Sequence, residues 1–143
     1  MSATAGETDG QSVPAERLGF QPGMVVQEIG WDDDCDEDLR RAIEERTGHE
    51  LVDDEYGDVV DAVILWWRDD DGDLVDALVD TKTDLTDGGV IWLFTPKVGR
   101  EGYVDPSEIS ESAPTAGFAT TTSLSVAPDW LGTKLVAPRA RQR

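Results

Sequence analysis

Two uninterrupted apolar runs constrain this chain more than any other feature. Ala62-Val63-Ile64-Leu65-Trp66-Trp67 and Val90-Ile91-Trp92-Leu93-Phe94 contain no polar residue. A strand with one wet face alternates; a run without alternation is buried on both faces, as an interior parallel strand is. Between the two runs, Asp69-Asp70-Asp71-Gly72 reads as a turn and Asp73 onward as a helix. Leu74, Val75, Leu78, Val79 and Leu85 form its apolar stripe, the aspartates lie mostly off it, and Gly88-Gly89 is the expected stop. Strand, helix and strand make a βαβ unit, which is nearly always right-handed.

The flanks extend this pattern. Met24 to Ile29 reads as a first strand ended by Gly30, and a helix follows over about 36–47, with acids at its start and Gly48 as its stop. Glu50-Leu51-Val52-Asp53 is at most a short strand. Asp105 caps a further helix with Pro106 at its first position, and Ala113-Pro114 ends it. Phe118–Val126 and Thr133–Val136 read as an antiparallel hairpin at the sheet edge. The alternation predicts a single three-layer α/β domain over residues 19–138, with a mostly parallel, doubly wound sheet and helices on both faces. Residues 1–18, rich in Ser, Thr, Gly and Glu, read as a disordered tail, and 139–143 as a short basic one.

With 143 residues, 38% of them hydrophobic and five tryptophans, the chain is long enough for one real core. The single cysteine, Cys35, excludes an intrachain disulfide and points to a reducing compartment. The N-terminus has neither a basic start nor an apolar run, and no stretch approaches the roughly 20 apolar residues of a membrane helix. A cytoplasmic location without membrane attachment is expected. The net charge of −19 is concentrated: residues 28–87 hold 23 acids against five bases, which is −18 of the total. A field of that sign repels phosphates, so direct nucleic-acid binding is not expected.

The usual catalytic parts are missing. No phosphate-binding loop follows the first strand, where Gly30 precedes Trp31 and a run of aspartates; there is no GxSxG elbow. Cys35 stands among acids that disfavour a thiolate. His49, the only histidine, lies just past a helix end, where the helix dipole is sufficient reason for it. Asp32 and Asp34 in one acidic run, and Asp69 and Asp71 in another, are weak candidate ligands for a hard cation, but neither run fits a calcium loop; capping two helices and solvating two loops is the reading that accounts for them. No cofactor is expected.

One feature has the right place for a ligand. In open α/β sheets, ligands bind outside the carboxyl ends of the strands. Gly30-Trp31 ends the first strand, Trp66-Trp67-Arg68 the second and Thr95-Pro96-Lys97-Val98-Gly99-Arg100 the third. The candidate binding residues are therefore Trp31, Trp67, Arg68, Thr95, Lys97, Gly99 and Arg100. The cations would face an anionic ligand or acidic protein between aromatic walls, or pair with nearby aspartates and close the fold.

Through Gly19–Gly23, Val26–Asp34, Leu65–Asp71 and Thr95–Arg100, the chain resembles a family of small acidic actinobacterial proteins known only as a domain of unknown function. The resemblance covers about residues 19–138 and implies no activity. In layout, residues 62–136 are similar to the back half of class I methyltransferases, a Rossmann-like fold, without the glycine-rich loop that holds the methyl donor there. The function expected is a non-enzymatic protein-binding or regulatory module, whose acidic surface could engage a basic protein partner. The alternative is a small-molecule binder or degenerate methyltransferase-like enzyme using the strand-end crevice. Five tryptophans leave room for a homo-oligomer.

Overall fold

The computed structural model describes residues 14–137. The sheet is built from β1 (Val26–Ile29), β2 (Val60–Trp66), β3 (Leu85–Pro96), β4 (Ala119–Ala127) and β5 (Trp130–Val136), in the order β1-β2-β3-β5-β4. It is mixed, not mostly parallel. β1, β2 and β3 pair in parallel, but β5 is antiparallel to both β3 and β4. The reason is the turn at Pro128-Asp129. It sends the chain straight back from β4, so that β5 fills the space between β3 and β4.

Three helices cover the sheet: α1 (Glu37–Thr47), α2 (Leu74–Thr81) and α3 (Pro106–Thr115). The two apolar runs are buried on both faces. Ala62, Ile64, Trp66, Trp92 and Phe94 pack with Leu39 and Ile43 of α1. Val63, Leu65, Ile91 and Leu93 pack with Leu74, Leu78, Ile109 and Ala113 of α2 and α3. Trp66, fully buried, meets Phe94 at 4.9 Å and Trp130 edge-on at 4.8 Å between ring centroids.

α1 and α2 lie on opposite faces although β1, β2 and β3 step in one direction, and two right-handed crossovers would put both on the same face. Val52 resolves this. It bridges Gln27 in parallel, accepting the Glu28 N–H (2.7 Å) and donating to the Val26 carbonyl (2.9 Å), on the edge of β1 away from β2. α1 therefore crosses over to this one-residue bridge, and the chain then returns through the exposed residues 53–59 to begin β2.

The acidic turns cap their helices as expected: Asp36, Asp73 and Asp105 each accept an N–H of the following turn. Several boundaries differ from expectation: α3 runs through Pro114 to Thr115 and β5 begins at Trp130 rather than Thr133. α2 ends at Thr81, whose hydroxyl donates to the Leu78 carbonyl (2.5 Å), and Leu85 already pairs with Val60 in β3. Gly88-Gly89 is thus no helix stop. It lies in a bulge of β3, with Gly88 at φ 78°, between the Val60↔Leu85 and Ala62↔Val90 pairs. At the N-terminal end, Ala15–Leu18 forms a 3-10 helix with Ala15 and Leu18 buried. The Leu18 carbonyl accepts the Trp92 indole N–H at 2.9 Å, so the domain begins before residue 19. Of the tail expected over residues 1–18, residues 1–13 lie outside the described residues, as does the basic tail expected over 139–143. Among the described residues, no helix is long and apolar enough to cross a membrane.

Candidate functional site

The carboxyl ends of β1, β2 and β3 meet at Arg68. β1 ends at Gly30, which adopts φ +84° and presses so closely on β2 that an added Cβ would lie 2.4 Å from the Trp66 carbonyl oxygen. Only glycine permits this approach. Gly102 does the same from the other side, where a Cβ would lie 3.0 Å from the Arg68 Cβ and Cγ. In the slot so formed, the Arg68 guanidinium donates to the carbonyls of Gly30 (2.8 Å) and Trp66 (3.3 Å). It also holds Asp34 through two nitrogens (3.1 and 2.5 Å), reaches Asp71 at 3.4 Å, and stacks over Trp130 at 5.4 Å.

The electrostatics follow from these contacts. Burial is the largest single effect and opposes the Arg68 charge, but the Asp34 bonds, together with the charges of Asp34, Cys35 and Asp71, outweigh it and hold its pKa above the ordinary arginine value. The same bonds, against some desolvation, hold the Asp34 carboxyl below the usual carboxylate range. Cys35 lies alongside, with its sulfur 3.5 Å from Arg68; burial pushes its thiol up to about 12. A second network supports β1. Glu28, with a side chain only 8% exposed, accepts two bonds from Arg40 (2.6 and 2.8 Å) and the Trp66 indole N–H (2.9 Å). Arg40 also pairs with Glu37, which accepts the Trp31 indole N–H at 3.0 Å and is held below its ordinary range first by that bond and then by Arg40.

Arg68 separates two clefts. The larger, of about 480 Å³, is lined by Asp32, Asp34, Asp70, Asp71, Glu101 and Asp129, with Arg68 and Arg100 as its cations. The smaller, of about 400 Å³, lies over the ends of β1 and β2 beside Gly30, Trp31, Trp67 and Asp80. Arg68 thus borders both clefts, Arg100 the larger and Trp31 and Trp67 the smaller. Trp31 is half exposed, whereas Trp67 is 6% exposed and belongs mainly to the α2/α3 core. Thr95 is buried on the same face as Trp67, whose N–H continues the ladder to the Phe94 carbonyl. Lys97 and Gly99 form the adjoining turn and line neither cleft.

Of the two arrangements expected for the cations, Arg68 and Arg100 adopt the pairing with nearby aspartates, in a cleft lined mainly by acids. Arg68 already carries Asp34 and Asp71, and Arg100 carries Asp129 at 3.0 Å. Asp69 lines neither cleft, and Asp34 and Asp71 clasp an arginine. Among the described residues no three His, Cys, Asp or Glu side chains gather as a metal site. Sequence reasoning missed the Glu28–Arg40–Trp66 network, though an acid inside an otherwise apolar strand end is a signal that a buried cation or indole lies opposite. It also missed Asp129 and Trp130, which the hairpin turn brings to Arg68 from the far end of the chain.

The fold is that of methyltransferases. A putative type 11 methyltransferase from Sulfolobus solfataricus matches 93% of this chain and 96% of its own at a TM-score of 0.63 and 12% identity. A SAM dependent methyltransferase from Aquifex aeolicus matches 89% and 90% at 0.56 and 14%. At such identities the likeness concerns architecture alone. The chain itself belongs to the family described as protein of unknown function DUF3052, which matches residues 15–139. Mycobacterial relatives agree: the uncharacterized proteins Rv2239c of Mycobacterium tuberculosis and Mb2263c of Mycobacterium bovis are each 48% identical over 139 residues, 97% of this chain and 87% of theirs.

Proposed function

We propose that this protein is a non-catalytic binding module that docks a basic segment of a protein partner in the larger strand-end cleft. The observation that carries the reading is the lining of that cleft. Six carboxylates face two arginines, and each arginine is held by carboxylates of the same wall. Asp32, Asp70 and Glu101 form no ion pair among the described residues. They are available to lysine or arginine side chains. The candidate nucleophile and base do not serve the cleft: the Cys35 thiol is buried and held near 12, and His49 lies at the opposite end of the sheet, beyond α1. The test is affinity capture from the native cell with the wild type and with Asp70→Lys/Glu101→Lys. Capture should weaken at high salt, because exposed charge is screened, and should be lost in the variant. Complexes that persist through both would defeat the reading.

The smaller cleft supports a second reading, a small-molecule binder with a degenerate methyltransferase-like site. Its place at the ends of β1 and β2 and the half-exposed Trp31 favour it. The Arg68 guanidinium, bonded to both strand ends, stands against it. A ligand that binds the native state raises stability by RT ln(1 + [L]/Kd). S-adenosylmethionine and nucleotides should then shift the melting temperature; if none does, this reading fails.

A further inference from the structure

The surface carries charge almost everywhere except along one sheet edge. From Ser112 to Pro128 the chain has no charged residue, although the whole sequence holds 31 acids and 12 bases. β4 occupies most of this stretch and closes the sheet, paired with β5 on one side and with no strand on the other among the described residues. Residues Ala119–Ser123 are exposed. Edge strands are usually blunted by lysine, proline or inward charges, since unpaired N–H and C=O groups invite another strand. β4 carries no lysine, proline or inward charge; its irregularities are the two register shifts at Thr120/Thr122 and Ser125/Ala127, which leave a regular stretch between them. Its threonines suit extended structure, and between its two register shifts Thr122, Ser123, Leu124 and Ser125 pair regularly with β5.

We propose that β4 is a homodimer edge: two copies pair their β4 strands antiparallel about a two-fold axis and join two five-stranded sheets into one. The occupant follows from charge. Two chains of −19 repel each other over the acid-rich surface. Copies can meet closely only where no charge is brought together, and β4 is that place. An antiparallel edge is also self-complementary, which a two-fold contact requires. A basic partner would choose the acidic cleft instead. A single strand edge is small for an interface, so association depends on protein concentration.

The proposal is independent of the cleft reading, and salt separates them. Basic-partner binding weakens as salt rises; this dimer strengthens, because screening removes like-charge repulsion. Sedimentation equilibrium should show a mass moving from 15.6 kDa toward twice that value with concentration, at lower protein concentration in high salt. Thr122→Lys, at an exposed position, should abolish the association, while Glu50→Lys, exposed and away from β4, should move it to lower concentration. Both variants lower the negative charge, so only an edge contact gives opposite responses. Amide exchange in β4 should slow as concentration rises, with circular dichroism confirming that Thr122→Lys is folded. A mass fixed at 15.6 kDa throughout, a Thr122→Lys that behaves like Glu50→Lys, or β4 exchange independent of concentration each overturns the proposal.

Discussion

Truncating Arg68 to alanine tests the construction of the strand ends. The side chain is 11% exposed, Asp34 52% and Asp71 33%. The pair therefore lies between exposed ion pairs, worth under about 1 kcal/mol, and fully buried ones, whose disruption costs about 3–5 kcal/mol. About 1 kcal/mol for the Asp34 contact, about 1 kcal/mol for each carbonyl left without a donor, and about 0.5 kcal/mol for the stacking on Trp130 give roughly 3–4 kcal/mol. For a domain of this size the melting temperature falls by roughly 10 °C. Arg68→Lys keeps the charge and loses the fork, so it should lose most of the same stability. Arg100→Ala breaks one exposed pair with Asp129 and should cost under about 1 kcal/mol. Urea unfolding followed by circular dichroism measures all three. The pH dependence adds a second readout. Arg68 holds Asp34 below the ordinary 3.8, so its contribution is complete above that value and is lost as pH falls through the folded-state pKa. The stability gap between wild type and Arg68→Ala should be constant from neutral pH to about 4 and narrow below it. An Arg68→Ala protein no less stable than Arg100→Ala, or a gap that widens in acid, would refute the reasoning.

The other predictions concern the supporting shell. Gly30→Ala combines a positive φ with a 2.4 Å approach to the Trp66 carbonyl, while Gly48→Ala at φ 83° meets nothing within 4 Å. By thermal melts, Gly48→Ala should cost about 1 kcal/mol and Gly30→Ala at least twice that; equal losses would remove the close approach as the cause. Glu28→Gln weakens the bonds to Arg40 and Trp66 and should cost about 2 kcal/mol in urea unfolding. Cys35, 7% exposed with a thiol near 12, should resist iodoacetamide in the native protein and react fully once unfolded. Rapid native labelling would contradict its burial.

The strongest local signals survived folding. Ala62–Trp67 and Val90–Phe94 read as interior strands because nothing in them tolerates water, and both faces are indeed covered. Asp36, Asp73, Asp105 and Gly48 act where a cap needs only its own helix. Errors arose where a partner distant in sequence decides. The helix pattern runs past Thr81 to Leu85, but Val60 claims Leu85 for the sheet. Ala15–Leu18 carries too little periodicity to be seen, and it is ordered because Trp92, mid-strand and buried, needs a carbonyl for its indole. Which of the two expected arrangements the cations adopt is open in the sequence for the same reason. Arg68 and Arg100 mark a basic site only until Asp34, 34 residues before Arg68, and Asp129, beyond the hairpin turn, are folded against them.

Arg68 also bears on what the strand ends could offer a binding partner. Parallel strands converge on a crevice at their carboxyl ends, and an open crevice with free backbone groups is what a small ligand exploits. Here the carbonyls at the ends of β1 and β2 are taken by a guanidinium belonging to the chain itself, with Gly102 packed against that side chain and Gly30 against the Trp66 carbonyl. Polar groups satisfied internally have little to offer a ligand, because binding would exchange one set of hydrogen bonds for another. What remains on offer is the buried, unpartnered Trp67 indole N–H and Thr95 hydroxyl and, outside the plug, the carboxylates of Asp32, Asp70 and Glu101 around the larger cleft. A site of that kind suits an exposed, charged partner more than an enclosed substrate. Its strength should therefore follow ionic strength before it follows the shape of the crevice.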